Sequence, residues 1–422
     1  MKTLIVNGRL WDGSGSAAYD GELLVDGNRI EAVARGPGRI PAEGAMRLDA
    51  RGMTVMPGLV EGHAHLTFCG ATKNTDLGDI PPEEHVLETM HNARTLLEAG
   101  FTSAFSAASA KMRLDVVVRN QIDAGRIPGP RLRAAGPEIT VTAGLGDDNR
   151  LHMARESFGL VADGPEAIAR AVRLCIREGV DNIKVNISGD DFVPAAKGGM
   201  TVMREDEVRM ACEVAHAFGK KVASHSRASN AVMRAVECGV DVIYHCEFAD
   251  TQALDALEAV RDRVFVGPAI GLIHNTLHEA EPWGITRAMA LDLGMERCIE
   301  NAQRTYEQMR KRGIRAVIGG DYGFAWTPQG TNARDIEHFV KLFGYSPSEA
   351  LQCATRIGGE LMGMQVGQLK EGWLADLLIV DGDPLKDVSV LQDKARLKVI
   401  MKGGVGVKNL LAAADRQGPD RQ

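Results

Sequence analysis

Two histidines, His63 and His65, stand one residue apart in the stretch LVEGHAHLTF, directly after an apolar run. Side chains alternate between the two faces of a strand, so both imidazoles would point the same way at a strand end. Such a pair could clamp a metal ion, since neutral imidazole is a good ligand for zinc and similar cations. It could equally be two ordinary polar residues where a strand leaves the core. The pair alone leaves both interpretations open.

Four further residues with the chemistry of metal ligands follow apolar segments later in the chain. They are Lys184 in NIKVNIS, His225 in VASHS, His245 in VIYHC and Asp321 in VIGGD. Each one alone has an ordinary explanation: a core histidine, a lysine buried in an ion pair, or an aspartate that caps a helix. Six such residues at the same ends of predicted strands are much harder to explain in this way. Five of the six are good ligands for a borderline metal.

The middle of the chain alternates strands with helices, and this order positions the six residues. Strands are predicted at 102–109 and 131–140, and helices at 165–180, 204–219, 229–238, 251–262, 288–312, 333–343 and 347–364. Repeated strand–helix units of this length are typical of a parallel sheet with crossover helices. Their number favours a (β/α)8 TIM barrel, within the α/β class, over an open doubly wound sheet. In such a barrel the carboxyl ends of the strands form the active site.

Both ends of the chain are instead rich in short strands and tight turns. Asn7-Gly8 and Asp26-Gly27 are turn signals between alternating apolar positions, and GWLADLLIVDGD and ARLKVIMKGG resemble strands near the C-terminus. We therefore expect the two ends to join into one small β-sandwich domain. The predicted boundaries are 1–57 for its N-terminal part, 58–364 for the barrel and 365–422 for its C-terminal part.

Composition argues against several classes of function. The formal net charge is −7 and no block is rich in Lys and Arg, so nucleic acid and anionic membranes are not expected partners. No apolar run has transmembrane length, and the first apolar stretch is too short for a secretion signal. The seven cysteines are scattered and lack CxxC spacing, which predicts a cytoplasmic protein without a disulfide framework. No glycine-rich phosphate loop follows the first strand.

These residues occur within a wider resemblance to a known family. PGLVEGHAHL resembles the HxH signature of the amidohydrolase superfamily, and the later Lys, His, His and Asp follow in that superfamily's order. VGQLKEGWLADLLIVDGDPL resembles its C-terminal segment, so the resemblance covers nearly the whole chain. RIPGPRLRAAGPEIT and NIKVNISG are similar to the imidazolonepropionase-like and prolidase-like branch.

The resemblance implies a centre with two divalent metal ions. His63, His65 and Asp321 would hold the first ion, and His225 and His245 would hold the second. Zinc is the expected metal for these ligands, with manganese, iron and cobalt as alternatives.

The resemblance also implies that Lys184 carries a carbamate and bridges the two ions. A plain lysine cannot do so, because its ammonium group only donates hydrogen bonds. Burial beside two cations lowers the pKa of the amine, and the neutral amine can then take up CO2.

The chemistry implied is hydrolysis of an amide-like C–N bond by hydroxide generated between the two ions. Asp321 would act as general base and then hand the proton to the leaving nitrogen. An N-acyl amino acid, a carbamate, a urea or an aryl amide would suit this reaction, and dipeptidase activity stays open.

Two departures from the branch concern the substrate. Relatives commonly have a Gly-Gly-His-Gly stretch where this chain reads TVTAGLGDDN, so Leu145 replaces a histidine. They also commonly have HAHG where this chain reads SHSRAS, which introduces Arg227. Arg227 could pair with a substrate carboxylate, or it could form a structural salt bridge with a neighbouring acidic residue.

Three more residues are candidate substrate contacts. Tyr244 precedes the ligand His245, Tyr322 follows the ligand Asp321, and His274 lies in a stretch predicted as a loop, GLIHNTLHEAEPWG. Each tyrosine could orient the carbonyl or could simply pack.

Two competing functions are considered. A mononuclear deaminase of a heterocycle is disfavoured by Lys184, because deaminases of the superfamily generally lack the bridging lysine. A non-catalytic barrel scaffold is disfavoured because all six ligand positions are occupied by suitable residues. The expected partner is a small-molecule substrate, and the family resemblance implies a homo-oligomer.

Overall fold

The computed structural model describes residues 2–153 and 155–411. The strands, in chain order β1 to β17, are Lys2–Leu10, Tyr19–Asp26, Arg29–Arg35, Met46–Asp49, Thr54–Pro57, Leu59–Ala64, Phe101–Ser106, Arg131–Arg133, Glu138–Thr140, Gly159–Val161, Asn182–Asn186, Lys221–Ala228, Val242–Phe248, Phe265–Gly267, Leu377–Val380, Leu397–Lys402 and Val405–Asn409. The helices, α1 to α13, are Asn74–Asp79, Pro82–Glu98, Leu114–Asp123, Pro165–Arg177, Glu205–Ala217, Ser229–Cys238, Thr251–Ala259, Ile270–His278, Arg287–Asp292, Met295–Lys311, Arg334–Phe343, Pro347–Cys353 and Arg356–Met362. Short 3-10 helices cover Glu281–Trp283 and Val388–Gln392.

Strands from both ends of the chain share one sheet. Its order is β17-β16-β15-β5-β1-β2-β3, and β4 pairs with β1. The antiparallel pairing of β15 with β5 joins the two ends, with Leu377 opposite Pro57. The alternating apolar residues of these strands form a separate buried cluster that includes Ile5, Leu23 and Val399. The ends of the chain therefore fold together.

The middle strands are paired in parallel and alternate with helices. One sheet has the order β6-β7-β8 and another β10-β9-β11-β12-β13-β14. A parallel bridge from Ala135 to Asn182 links the two sheets, and one from Val266 to Ala316 continues to the segment 316–318. The alternation confirms the predicted α/β class.

The segment 316–318 returns to the first of these strands. The backbone N–H of Gly62 in β6 donates to the carbonyl of Ile318 over 2.9 Å. A Cβ atom on Gly62 would lie 2.8 Å from the Cβ of Val317, so only glycine permits this approach. The glycine between the acidic residue and the first histidine of EGHAH is thus needed for the contact that returns the chain to β6.

Several predicted elements are interrupted. The strand predicted at 131–140 divides into β8 and β9 around Pro137, which has no N–H to donate to a ladder. The helix predicted at 288–312 divides into α9 and α10 at Gly294, whose φ of +77° is left-handed. The helix predicted at 347–364 divides into α12 and α13 at Thr355.

The loop predicted for GLIHNTLHEAEPWG was wrong in its first half, which is α8, Ile270–His278. Its mean hydropathy suits a buried helix, and seven of its nine residues are buried: Ile270, Gly271, Leu272, Ile273, Asn275, Thr276 and Leu277. His274 and His278 give the sequence of this segment a polar character, but they are the two residues of the helix that are not buried. No helix of the described part of the chain is long and apolar enough to cross a membrane.

An ion pair connects the terminal sheet to β8. Asp376 accepts from Arg131 Nε over 2.6 Å and from Nη2 over 3.0 Å, and its side chain is 1% exposed. The same carboxylate accepts from the backbone N–H of Gly403 over 2.6 Å.

We expect Asp376→Ala to lower the free energy of unfolding by about 3 kcal/mol, because it leaves a guanidinium and a backbone N–H without their acceptor. Urea denaturation followed by circular dichroism measures the loss. Glu98→Ala is the matched control, since it breaks an exposed pair with Arg94 and should change stability little. Equal effects of the two substitutions would contradict this role of Asp376.

Candidate metal centre

The HxH pair lies at the carboxyl end of β6, and Asp321 approaches it from the end of the segment 316–318. His65 Nε2 is 3.3 Å from Asp321 Oδ1, and His63 Nε2 is 4.0 Å from the same oxygen. One ligand atom from each of the three residues lies within 4.8 Å of the others, and all three residues are buried. Metal–ligand distances near 2 Å place ligand atoms about 3 to 4 Å apart, so one cation could contact all three after small side-chain movements.

His225 and His245 lie within the neighbouring strands β12 and β13. Their ring centroids are 4.1 Å apart, and the ring of His245 is 5.6 Å from that of His63. Parallel pairing explains the proximity, because Ser226 of β12 lies opposite His245 of β13. The second predicted ligand pair therefore adjoins the first.

Lys184 projects from β11 into the same pocket. Its side chain is 1% exposed, and its Nζ lies 4.0 Å from Glu138 Oε1. Burial lowers the pKa of Lys184, although the carboxylates of Glu138 and Asp321 oppose this shift. We call the cavity around these groups the metal pocket. It is lined by His63, His65, Lys184, His225, His245, Asp321, Phe68, Asn74, Glu138, Leu145, Phe158, Asp190, Phe192, Leu272 and Phe324. All six predicted ligands are among them.

The imidazoles are neutral, and several of their ring nitrogens are free to bind a metal. Burial lowers the pKa of His63, His65 and His245 well below the ordinary value, and that of His225 to about 3. Both ring nitrogens of His63 and the Nε2 of His245 are buried without a hydrogen-bond partner among the described residues. Such unpaired nitrogens are costly, and a cation would satisfy them. The donor set fits a divalent metal.

Hydrogen bonds orient two of the rings. His65 Nδ1 lies 3.2 Å from the carbonyl of Ala108, and His225 Nε2 lies 3.1 Å from the carbonyl of Gly189. Each carbonyl selects the tautomer that carries its proton on that nitrogen and leaves the other nitrogen unprotonated. For His65 the remaining nitrogen is the Nε2 that faces Asp321.

The backbone is strained at two of the candidate ligands. His245 has a φ of +74° and Asp321 a φ of +61°, in the left-handed region that residues other than glycine seldom adopt. Such conformations persist where the surrounding structure compensates for their cost, and they cluster at functional sites. Burial raises the pKa of Asp321 to about 7.

Arg227 is enclosed by acidic partners. Its side chain is 2% exposed, Nη1 donates to Asp190 over 2.7 Å, and Nε donates to Glu247. Nη2 donates to Cys298 Sγ over 3.4 Å. Of the two interpretations of Arg227, the structural salt bridge describes the contacts that the structure contains. A role in substrate binding stays a prediction.

The two tyrosines lie outside the lining of the metal pocket. Tyr244 stacks on His63 with ring centroids 3.8 Å apart, and its hydroxyl donates to the carbonyl of Gly62 over 2.6 Å. Tyr244 thus supports a ligand from beneath. Tyr322 is buried, and its hydroxyl has no partner among the described residues.

His274 lies on α8 in a cluster of three histidines. Its ring centroid is 4.6 Å from those of His278 and His338, and its pKa is lowered to about 4 by burial and by those two neighbours. None of the three lines the metal pocket. Their substrate contact stays a prediction.

The sequence reasoning missed two acidic residues of the pocket. Glu138 in β9 accepts from Asn186 Nδ2 over 2.6 Å, and Asp190 lies 3.6 Å from His225 Nε2. The available signals were a carboxylate within the strand PEIT and the acidic pair that follows NIKVNISG. Neither residue has the sequence position of a candidate metal ligand, so the sequence alone does not identify it as part of the site.

Comparison with known proteins identifies relatives of this chain. The profile of the amidohydrolase family matches residues 54–407. Ochratoxinase from Aspergillus niger is 25% identical over 435 residues, covering 95% of this chain and 86% of that protein. Imidazolonepropionase from Salinispora arenicola is 24% identical over 404 residues, covering 90% of each.

Solved structures agree with the sequence matches. A prolidase crystallised with N-methylphosphonate-L-proline is 26% identical and superposes with a TM-score of 0.87, covering 97% of this chain and 100% of that chain. A Xaa-Pro dipeptidase with bound methionine is also 26% identical, with a TM-score of 0.83 and the same coverage. With most of its length matched by the family profile, the chain belongs to the amidohydrolase family of hydrolases.

Proposed function

We propose that the protein is a metal-dependent amidohydrolase that hydrolyses an amide-like C–N bond of a small molecule. The observation that carries this proposal is one buried pocket lined by His63, His65, Lys184, His225, His245 and Asp321. The unpartnered nitrogens of His63 and His245 support a metal at its floor. Relatives named ochratoxinase, imidazolonepropionase and prolidase support C–N hydrolysis.

The centre is binuclear in this proposal, with zinc as the metal. His63, His65 and Asp321 hold one ion, and His225 and His245 hold the other. These ligands carry too little negative charge for two divalent ions, since four of the five are neutral imidazoles.

A carbamate on Lys184 would supply the missing negative charge beside the ions. The neutral amine of Lys184 attacks the carbon of CO2, a N–C bond forms, and the amine proton leaves to solvent. The product bears one negative charge shared by two acceptor oxygens, where an ammonium group had only donors. The buried position and lowered pKa of Lys184 support this step.

The proton transfers of the reaction are assigned to the carboxyl group of Asp321. Bound divalent ions lower the pKa of water and polarise a carbonyl oxygen. Asp321 accepts the proton of the attacking water, and the same carboxyl group then donates it to the leaving nitrogen. The carboxylate of Asp321 lies 3.3 Å from His65 Nε2, at the edge of the pocket where this proton transfer would occur.

The proposal also includes a (β/α)8 barrel and a β-sandwich domain as the fold of this protein. The parallel pairings from β6 to β14, continued by 316–318 and returned through Gly62, support a (β/α)8 barrel. The shared terminal sheet supports a β-sandwich domain with the boundaries 1–57 and 365–422. A cytoplasmic location and a homo-oligomer stay predictions.

Asp321→Asn should lower kcat by orders of magnitude while the fold and most of the metal are retained, because the amide can bind a cation but cannot shuttle the proton. Steady-state kinetics on a C–N substrate, circular dichroism and metal analysis by mass spectrometry make the measurement. Asp393→Asn is the control, since that side chain is exposed and does not line the metal pocket. Unchanged turnover in Asp321→Asn would refute the mechanism.

The purified protein should contain about two metal ions per chain, and Lys184→Ala should lower this content. Carbon-13 NMR after incubation with labelled bicarbonate should show a carbamate in the parent and none in Lys184→Ala. Lys402→Ala is the control, because Lys402 is also a partly buried lysine but lies on β16. One ion per chain without a carbamate would favour the mononuclear deaminase instead.

A further inference from the structure

A second cavity opens outward from the metal pocket. This outer chamber has a volume of about 390 Å³, in the range of cavities that hold drug-sized ligands. It shares Asn74, Phe192, Leu272 and Phe324 with the metal pocket, so the two cavities adjoin each other. A substrate held at the metal ligands can therefore extend into the chamber.

The walls of the outer chamber are apolar and aromatic. They include Phe192, Leu272, Ile285, Phe324 and Trp326. The rings of Phe324 and Trp326 are stacked with centroids 5.5 Å apart, and Trp326 Nε1 donates to Thr276 over 2.9 Å. The indole is thus fixed, and its polar atom is already paired. Such a wall favours a flat or branched apolar group.

Polar residues of the chamber lie toward its rim. Lys73 and Arg150 are exposed there, and Asp147 and Asp148 are half-buried beside them. These charges have both signs and contact solvent, so they give little preference for an anion over a neutral group.

The inner walls oppose a free carboxylate. Apart from the six candidate metal ligands, the charged side chains that line the metal pocket are Glu138 and Asp190, both acidic. No arginine of the described ranges lines it, and Arg227 behind it is paired with Asp190 and Glu247. Leu145 adds an apolar wall. Outside the candidate metal ligands, a substrate carboxylate beside the scissile bond would be desolvated against these acids, with no arginine or lysine of the described lining to pair with it.

We infer that the substrate is an uncharged amide, carbamate or urea whose bulky aromatic or branched aliphatic group fills the outer chamber, and that Glu138 disfavours a carboxylate next to the scissile bond. This inference rests on the proposed function for the reaction and names its substrate class. It separates this chain from its prolidase relatives, whose dipeptide substrates carry a carboxylate.

One matched pair of compounds tests the charge preference. N-benzoylphenylalanine and N-benzoyl-2-phenylethylamine have the same amide and the same two rings, and they differ only in the carboxylate. We expect kcat/KM for the neutral compound to exceed that for the anion by at least about tenfold. Equal values or a preference for the anion would overturn the inference while leaving amide hydrolysis intact.

Binding to the metal-loaded Asp321→Asn variant separates the inference from the reaction. Calorimetry should show tighter binding of the neutral compound even if neither compound is hydrolysed. Hydrolysis of neither, with selective binding retained, would count against the proposed function alone. Failure of the neutral compound to bind would overturn the inference.

Phe192→Ala tests the wall of the chamber, and Phe218→Ala is its control. Phe192 is half-buried at the junction of the two cavities, whereas Phe218 is 56% exposed at the end of α5. Phe192→Ala should weaken binding of N-benzoyl-2-phenylethylamine about tenfold, and Phe218→Ala should not change it. Equal affinities in both variants would contradict the assigned wall.

Glu138→Gln tests the charge while keeping the shape. The ratio of affinities for the neutral and the anionic compound should fall at least several-fold, with metal content and circular dichroism unchanged. An unchanged ratio in a folded, metal-loaded variant would contradict the role of Glu138.

Discussion

The candidate site depends on one constraint: ring nitrogens without hydrogen-bond partners are held in a buried position. His63 and His245 bury ring nitrogens that no described residue satisfies, and burial keeps these rings neutral. An unsatisfied buried polar group normally costs on the order of 1–3 kcal/mol. Parallel pairing of the strands makes the arrangement attainable, because it places successive carboxyl ends at one edge. Other interactions in the fold must therefore offset the free energy that these unsatisfied nitrogens cost.

Much of this support comes from residues just behind the ligands. Tyr244 stacks on His63, and Glu61 accepts hydrogen bonds from the backbone of His63 and from Asn332. The left-handed backbone at His245 and Asp321 persists within this packing. Such rigid positioning suits ligands that must be ready before a metal or substrate arrives. The candidate ligands and the packing that holds them thus lie in the same part of the fold.

Residues on other elements form the walls around the candidate ligands. The aromatic wall of the outer chamber comes from the loop that carries Phe192 and from the segment that carries Phe324 and Trp326. The acidic character of the inner wall comes from Glu138 and Asp190, with Arg227 neutralised behind them. A common set of strand-end ligands can therefore serve different substrates when the loops around it change.

The sequence by itself determined the α/β alternation, the union of the two chain ends, and the types and order of the six polar residues at strand ends. These follow from local periodicity and from alternation along each strand, so they are visible within a few residues. Only the tertiary structure decided that Arg227 is paired, that α8 is a buried helix carrying His274 away from the metal pocket, and that Glu138 faces Lys184. It also decided that aromatic residues distant in sequence form one chamber. These features depend on packing between residues far apart in the chain, which no local pattern of side chains encodes.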